Sequence, residues 1–135
     1  MTDNILEIIY SKCKDPYIVD YDDKHPQYIG DFNSKDLYHG YGVYYNEIGK
    51  KVYQGYWKNG LMDGKGTFYY KGFVLQCGEW KKGKKHGQGI RYFKKSTTIE
   101  YDGNWKNGMK HGYGKLYLRN GELDYNGEFK NDKIK

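Results

Sequence analysis

Aromatic residues and glycine recur at every second position in five short segments of the chain. Each segment has tyrosine or glutamine first, glycine two residues later, and tryptophan or phenylalanine four residues later. The segments are Tyr28–Phe32, Tyr53–Trp57, Gln76–Trp80, Tyr101–Trp105 and Tyr125–Phe129. Side chains alternate between the two faces of a β-strand, so these three positions lie on one face. The pattern therefore predicts five strands, each with an aromatic face.

A further strand is predicted after each of the first four segments. Each of these strands would begin at a Gly-x-Gly pair and carry a tyrosine three residues beyond it. The pairs are Gly40–Gly42, Gly64–Gly66, Gly87–Gly89 and Gly112–Gly114. Glycine on a strand permits a bend or a close approach, so we expect these glycines to make room for a ring of a neighbouring unit.

Turn dipeptides separate the two strands of a unit. Asn59-Gly60 and Asn107-Gly108 favour tight hairpin turns, because both residue types tolerate positive φ. Lys82-Gly83 stands at the same place in the third unit. Each unit is therefore predicted to be a β-hairpin.

The combined pattern, Tyr-x-Gly-x-Trp-x-x-Gly-x-x-x-Gly-x-Gly, resembles the MORN repeat (membrane occupation and recognition nexus). The resemblance covers residues 28 to 133 and implies an all-β fold, an elongated single-layer sheet of stacked antiparallel hairpins. About four and a half repeats would form a domain over residues 28–135. The third unit departs from the pattern with Gln76 where tyrosine is usual. The fifth has Asp132 where a glycine would stand, so we expect it to stop after one strand.

The segment over residues 1–27 differs in kind from the repeats. Its apolar residues have the spacing of a short amphipathic helix. They are Ile5, Leu6, Ile8, Ile9 and Cys13. Two roles stay open: a cap on the open edge of the first hairpin, or a helix that docks on a partner. Three lysines against six acidic residues give this segment a charge of −3.

Composition favours an ordered and thin protein. Only 37% of residues are hydrophobic, but aromatic residues reach 19% and include 17 tyrosines. Disordered chains are poor in aromatic residues, and a tyrosine ring can be buried while its hydroxyl stays hydrated. The N-terminus lacks the basic start and apolar run of a secretory signal, and no stretch approaches the roughly 20 apolar residues of a membrane span. We expect an intracellular, cytoplasmic location, with association to a membrane, the cytoskeleton or a large particle left open.

No arrangement of catalytic or metal-binding residues is evident in the sequence. His86 and His111 precede Gly-x-Gly pairs one unit apart, a separation of roughly 10 Å by strand spacing. Zinc needs ligand atoms about 2 Å from the ion, so the pair cannot share one. Asp63 takes the equivalent position in the second unit, which favours a structural or surface role. We predict no metal, no cofactor and no enzymatic activity.

An aromatic surface is the first candidate binding site. The predicted residues lie on one face of the first strands: Tyr53, Trp57, Trp80, Tyr101 and Trp105. Tyrosine and tryptophan dominate binding hot spots, so this face is suited to another protein, through a helix in a groove or a strand on the edge. The alternative is that these rings pack on one another as the core of the sheet.

A row of lysines is the second candidate site. Stacking of the hairpins is expected to align lysines at or near equivalent turns. They are Lys58, Lys81, Lys82, Lys84, Lys85, Lys106 and Lys110. Near an anionic bilayer each lysine contributes about 1 kcal/mol, so phospholipid binding is one hypothesis. The other is that these lysines only keep exposed turns soluble. Nucleic acid is a weaker candidate, because the aromatic residues have a structural role.

The sequence therefore favours a non-enzymatic scaffold or adaptor that binds a protein of unknown identity. A peripheral membrane tether and a structural part of a large assembly are the alternatives. The last strand ends in the lysine-rich stretch Lys130–Lys135, which either opposes edge pairing or borders a site of dimerisation. The MORN resemblance implies self-association through a terminal repeat, as a homodimer.

Overall fold

The computed structural model describes residues 27–135, and the helix expected near the N-terminus lies outside them. The described residues form ten strands. In chain order they are β1 (Tyr28–Phe32), β2 (Tyr38–Tyr45), β3 (Lys51–Lys58), β4 (Leu61–Tyr70), β5 (Phe73–Lys81), β6 (Lys84–Tyr92), β7 (Ile99–Lys106), β8 (Met109–Tyr117), β9 (Leu123–Lys130) and β10 (Lys133–Ile134). Every strand pairs antiparallel with its sequence neighbour in one open sheet, so the predicted all-β hairpin architecture is confirmed.

Glycines form a continuous row across the sheet. One glycine from each of β1 to β9 pairs with the glycine of the next strand: Gly30, Gly42, Gly55, Gly66, Gly78, Gly89, Gly103, Gly114 and Gly127. A Cβ atom added to Gly103 would lie 2.7 Å from the hydroxyl oxygen of Tyr101. The glycine thus makes room for a ring, as predicted, but the ring belongs to the same unit rather than to a neighbouring one.

Tight turns close the hairpins where the sequence predicts them. Asn59 and Gly60 have φ values of 51° and 81°, and Asn107 and Gly108 have 51° and 82°. In the fifth unit Asn131 follows the same course with a φ of 49° and leads into β10. The prediction that this unit ends after one strand is therefore wrong, because Asp132 adopts the left-handed conformation that glycine has elsewhere, with a φ of 70°.

The core is divided among three clusters. Two lie on the face that carries the predicted aromatic residues, here called the aromatic face. One is built around Tyr53, Trp57 and Trp80, and the other around Tyr101, Trp105 and Phe129. A third cluster contains Tyr69, Val74, Cys77 and Tyr92, and lies on the opposite face. The boundary between the two clusters of the aromatic face lies in the third unit.

Candidate binding face and basic turns

A tyrosine lies over the glycine row in four of the five units. Because the glycines have no side chain, the ring can lie against the backbone while its hydroxyl reaches a carbonyl three residues ahead. The hydroxyl-to-oxygen distances are 3.0 Å from Tyr28 to Asp31, 3.1 Å from Tyr53 to Tyr56, 2.8 Å from Tyr101 to Asn104 and 3.2 Å from Tyr125 to Glu128. We call the space that the ring fills the tyrosine slot of its unit.

The tryptophans connect each unit to the one before it. The indole N–H of Trp80 donates to the Gly66 carbonyl at 3.1 Å, and that of Trp105 donates to the Gly89 carbonyl at the same distance. Their rings also meet tyrosines edge to face. The centroids of Tyr53 and Trp80 are 5.7 Å apart with an interplanar angle of 88°. Such pairs add about 0.5–1.5 kcal/mol beyond the area that they bury.

The five residues predicted as the aromatic binding site are therefore interior residues. Tyr53, Trp57, Trp80, Tyr101 and Trp105 are only 0–8% exposed. The structure brings them together on one face, within two clusters, and they form the core of that face. A partner that reaches this face meets mainly the side chains at the rim of the clusters.

The rim forms an apolar groove across the first two units. The groove is widely open to solvent and has a volume of about 400 Å³. Its lining includes Tyr38, Tyr44, Val52, Leu61, Met62 and Phe68, beside the buried rings. Leu61 is 49% exposed, so its side chain is accessible to a partner at the edge of the groove. These rim residues lie outside the repeat pattern, so the pattern does not identify them, although Leu61 and Met62 directly follow the Asn59-Gly60 turn.

The third unit fills its tyrosine slot differently. Gln76 takes the place of the tyrosine, and the side chain of Lys85 enters from the neighbouring strand. The Lys85 ammonium donates to the Cys77 carbonyl at 2.9 Å and lies 5.2 Å and 5.3 Å from the ring centroids of Trp80 and Trp105. It therefore joins the two aromatic clusters.

Lys85 does not belong to the predicted lysine surface, because its side chain is only 3% exposed. Burial lowers the pKa of its ammonium to about 7, while the Glu79 carboxylate opposes this shift and Arg91 adds to it. Lys110 has the equivalent register position in the fourth unit. There Tyr101 fills the slot, and the Lys110 ammonium lies 5.7 Å from the centroid of its ring.

The remaining predicted lysines are exposed and lie at the hairpin turns. We call this set the basic turns: Lys58, Lys81, Lys82, Lys84 and Lys106. Three of them, Lys81, Lys82 and Lys84, line a shallow depression of about 430 Å³ together with His86 and Asn107. Leu61 lines both the apolar groove and an adjoining depression that contains Lys58, so the groove and the basic turns are continuous.

The histidines before the Gly-x-Gly pairs bind the turn of the next unit. The Nδ1 atom of His86 accepts a hydrogen bond from the Asn107 backbone N–H at 3.4 Å. His39 and His111 make the same contact to the following turns at 3.5 Å. In the second unit the Asp63 carboxylate accepts from the Lys82 N–H at 3.2 Å. Both side chains offer a hydrogen-bond acceptor, which explains why aspartate can replace histidine at this position.

Comparison with known proteins agrees with this repeated geometry. The MORN repeat family matches five consecutive segments, at residues 28–50, 53–72, 77–98, 101–122 and 125–135. The chain belongs to the MORN-repeat family. No curated protein matches it in a sequence search. The MORN units coincide with the hairpins of the structure, and the third MORN unit is the one that has a lysine in its tyrosine slot.

The MORN sheet offers neither a cluster of metal ligands nor a membrane-spanning helix within the described residues. Within residues 27–135, no group of three or more His, Cys, Asp or Glu side chains is placed to hold a metal ion. The same part of the chain contains no helix that is long and apolar enough to cross a membrane.

Proposed function

We propose that this MORN-repeat protein is a non-enzymatic scaffold or adaptor that binds another protein through the apolar groove of its first two units. The observation that carries the proposal is the groove itself, where half-buried aromatic rims and the exposed Leu61 surround about 400 Å³ of open space. A concave apolar surface of this kind loses contact with water when a partner's side chains enter it, which favours binding.

Charge beside the groove defines the kind of partner. Leu61 lies between the groove and a depression whose lining is basic on balance, with four lysines against the two acidic residues Asp63 and Glu79. A segment that places apolar side chains in the groove would have its flanking residues next to these lysines. We therefore propose a partner segment with apolar anchors and neighbouring carboxylates, because opposite charges speed association and fix orientation.

Leu61→Glu tests this proposal without altering the core, because Leu61 is half exposed. The matched control is Leu118→Glu, since Leu118 is 43% exposed and does not line the groove. Each purified variant is used as bait in its source extract, and retained proteins are quantified by mass spectrometry. The proposal predicts one set of proteins kept by wild type and Leu118→Glu but lost with Leu61→Glu. Equal retention by both variants would contradict it.

A peripheral membrane tether is the second candidate, favoured by the clustering of exposed basic turns. Three lysines around one depression, Lys81, Lys82 and Lys84, concentrate positive charge at one edge of the sheet. In a co-sedimentation assay with vesicles of phosphatidylcholine and phosphatidylserine, wild type is expected to sediment with the vesicles. A variant with these three lysines changed to Glu is expected to stay in the supernatant. The control changes Lys71, Lys94 and Lys95, three exposed lysines at other turns. Equal loss in both triple variants would indicate a net-charge effect rather than a tether site.

A further inference from the structure

The lysine at the register position of Lys85 lies in two different places in the third and fourth units. In the third unit the lysine paired with Trp80 points into the tyrosine slot. In the fourth unit the lysine paired with Trp105, Lys110, lies outside the slot and over the Tyr101 ring. The difference is the residue that competes for the slot, which is Gln76 in one unit and Tyr101 in the other.

We propose that Lys85 is a proton-linked latch, which joins the two aromatic clusters when its amine lies inside the slot and releases them when it moves out. In the inward position the amine contacts Trp80 of one cluster and Trp105 of the other. In the outward position it adds a cation next to Lys84, one of the basic turns, and leaves the slot between the two tryptophans open. The latch therefore couples the aromatic face to the charge of the basic turns.

The charged groups around the slot come from its neighbouring strands. Glu79 is on β5, and Arg91 is on β6 with Lys85. Glu100 on β7 forms an ion pair with Arg91 at 2.9 Å, which offsets the repulsion between Arg91 and the ammonium. Lys110 on β8 is held over the Tyr101 ring. Within residues 27–135 the Lys85 ammonium donates to one backbone carbonyl, that of Cys77, and to no carboxylate, although it carries three protons.

The sign of the proton linkage follows from the burial of the amine. Burial lowers the pKa of Lys85 to about 7 in the inward position, whereas a solvated lysine has a pKa of about 10.4. The outward position therefore binds the proton more tightly. Between these values each unit of falling pH favours the outward position by about tenfold, and below about pH 7 the balance no longer changes.

The rate of amine acylation at Lys85 tests the latch. An acylating reagent attacks only neutral amines, so a solvated lysine reacts about tenfold faster with each pH unit up to about pH 10. If Lys85 reacts only in the outward position, two opposite changes determine its rate as the pH rises. The neutral fraction of the outward amine grows, but the population of the outward position shrinks by the same factor, so the rate stays nearly constant. Peptide mass spectrometry on the full chain, followed at Lys85 and at exposed Lys106, should then show a rate for Lys85 that is nearly constant from pH 7.5 to 9.5, whereas the rate for a fully solvated lysine rises about a hundredfold.

The variant Gln76→Tyr supplies the decisive comparison, because a tyrosine in the slot should expel the amine. Lys85 is expected to react faster in Gln76→Tyr than in wild type and to follow the pH profile of Lys106. If this variant does not fold, Lys85→Met replaces it. Wild type should then gain resistance to urea from pH 7.5 to 9.5, and Lys85→Met should not. A wild-type Lys85 rate that rises in parallel with Lys106, or equal pH slopes for wild type and Lys85→Met, would overturn the proposal.

Discussion

The third and fourth units fill the same space with different chemistry. In the fourth, the ring of Tyr101 is 0% exposed, and its hydroxyl donates to the Asn104 carbonyl at 2.8 Å. In the third, the Lys85 ammonium donates to the Cys77 carbonyl at 2.9 Å, and the Lys85 side chain lies over Gly89. The repeat therefore requires a long side chain with a terminal donor over the glycine row, rather than tyrosine itself. Only the slot filled by lysine contains a group that gains or loses a proton near neutral pH.

The largest expected contrast comes from truncating the residue at the tyrosine position of each unit. Tyr101→Ala should lower the free energy of unfolding by about 3–5 kcal/mol, the usual range for removing a buried aromatic side chain. Gln76→Ala should lower it by less than about 1 kcal/mol, because Lys85 and not Gln76 fills the third slot. Urea unfolding followed by tryptophan fluorescence measures both values. Similar losses in the two variants would show that Gln76 packs as tyrosine does.

The pH dependence of stability should distinguish the lysine-filled slot of the third unit from the tyrosine-filled slots. With a pKa lowered to about 7, Lys85 takes up a proton on unfolding. The free energy of unfolding should therefore rise between about pH 7 and 10, by at most about 1.4 kcal/mol per pH unit. Burial raises the pKa of Tyr92 and of Tyr101 to about 12, so stability should fall above about pH 10.

Lys85→Met is the control for this rise, because Met62 occupies the same register position beside Trp57 in the second unit. The variant should keep the loss of stability above about pH 10 and lose the gain below it. Denaturation midpoints at half-unit steps of pH give both slopes. A gain of the same size in Lys85→Met would assign the effect to other groups.

Replacing one tryptophan at a time should give a smaller contrast. Trp57→Phe removes the indole donor to the Gly42 carbonyl, and Trp80→Phe removes the donor to the Gly66 carbonyl. Each loss should cost about 1–2 kcal/mol in the free energy of unfolding. Trp80→Phe should cost more, because phenylalanine is a weaker cation partner than tryptophan for Lys85. Urea unfolding near pH 7 and pH 9.5 measures the loss of stability in each variant. Identical losses for the two variants would contradict a stabilising contact between Lys85 and Trp80.

The smallest expected effect concerns the acceptor that binds each following turn. His86→Ala should lower the free energy of unfolding by about 0.5–1.5 kcal/mol, because the Asn107 N–H loses its acceptor. His86→Asp should retain most of this stability, since Asp63 performs the same task one unit earlier. Hydrogen exchange at the Asn107 amide reports the contact directly. Equal exchange rates at the Asn107 amide in the two variants would show that the side chain at position 86 is not its acceptor.

The repeat pattern predicted nine of the ten strands, the tight turns and the role of the strand glycines in making room for a ring, because each depends on local residue preferences and strand alternation. It did not predict the position of Lys85, because the lysine fills a space that only three-dimensional pairing with Trp80 reveals. Gln76 was the available signal, since a missing tyrosine over two glycines leaves a gap that another side chain must fill. The apolar groove was missed for a related reason, because residues such as Leu61 lie next to turns and outside the repeated positions.

The double variant Gln76→Tyr with Lys85→Met decides whether the third unit needs a hydrogen-bond donor over the glycine row or Lys85 itself, because it gives the third unit the residues of the second. Urea unfolding of this variant and of wild type should be compared at pH 7. If a donor over the glycine row holds each unit, the double variant should be more stable by about 1 kcal/mol or more, since the cost of a buried ammonium disappears. A double variant less stable than wild type would contradict the account, because Lys85 would then be the better residue for that space.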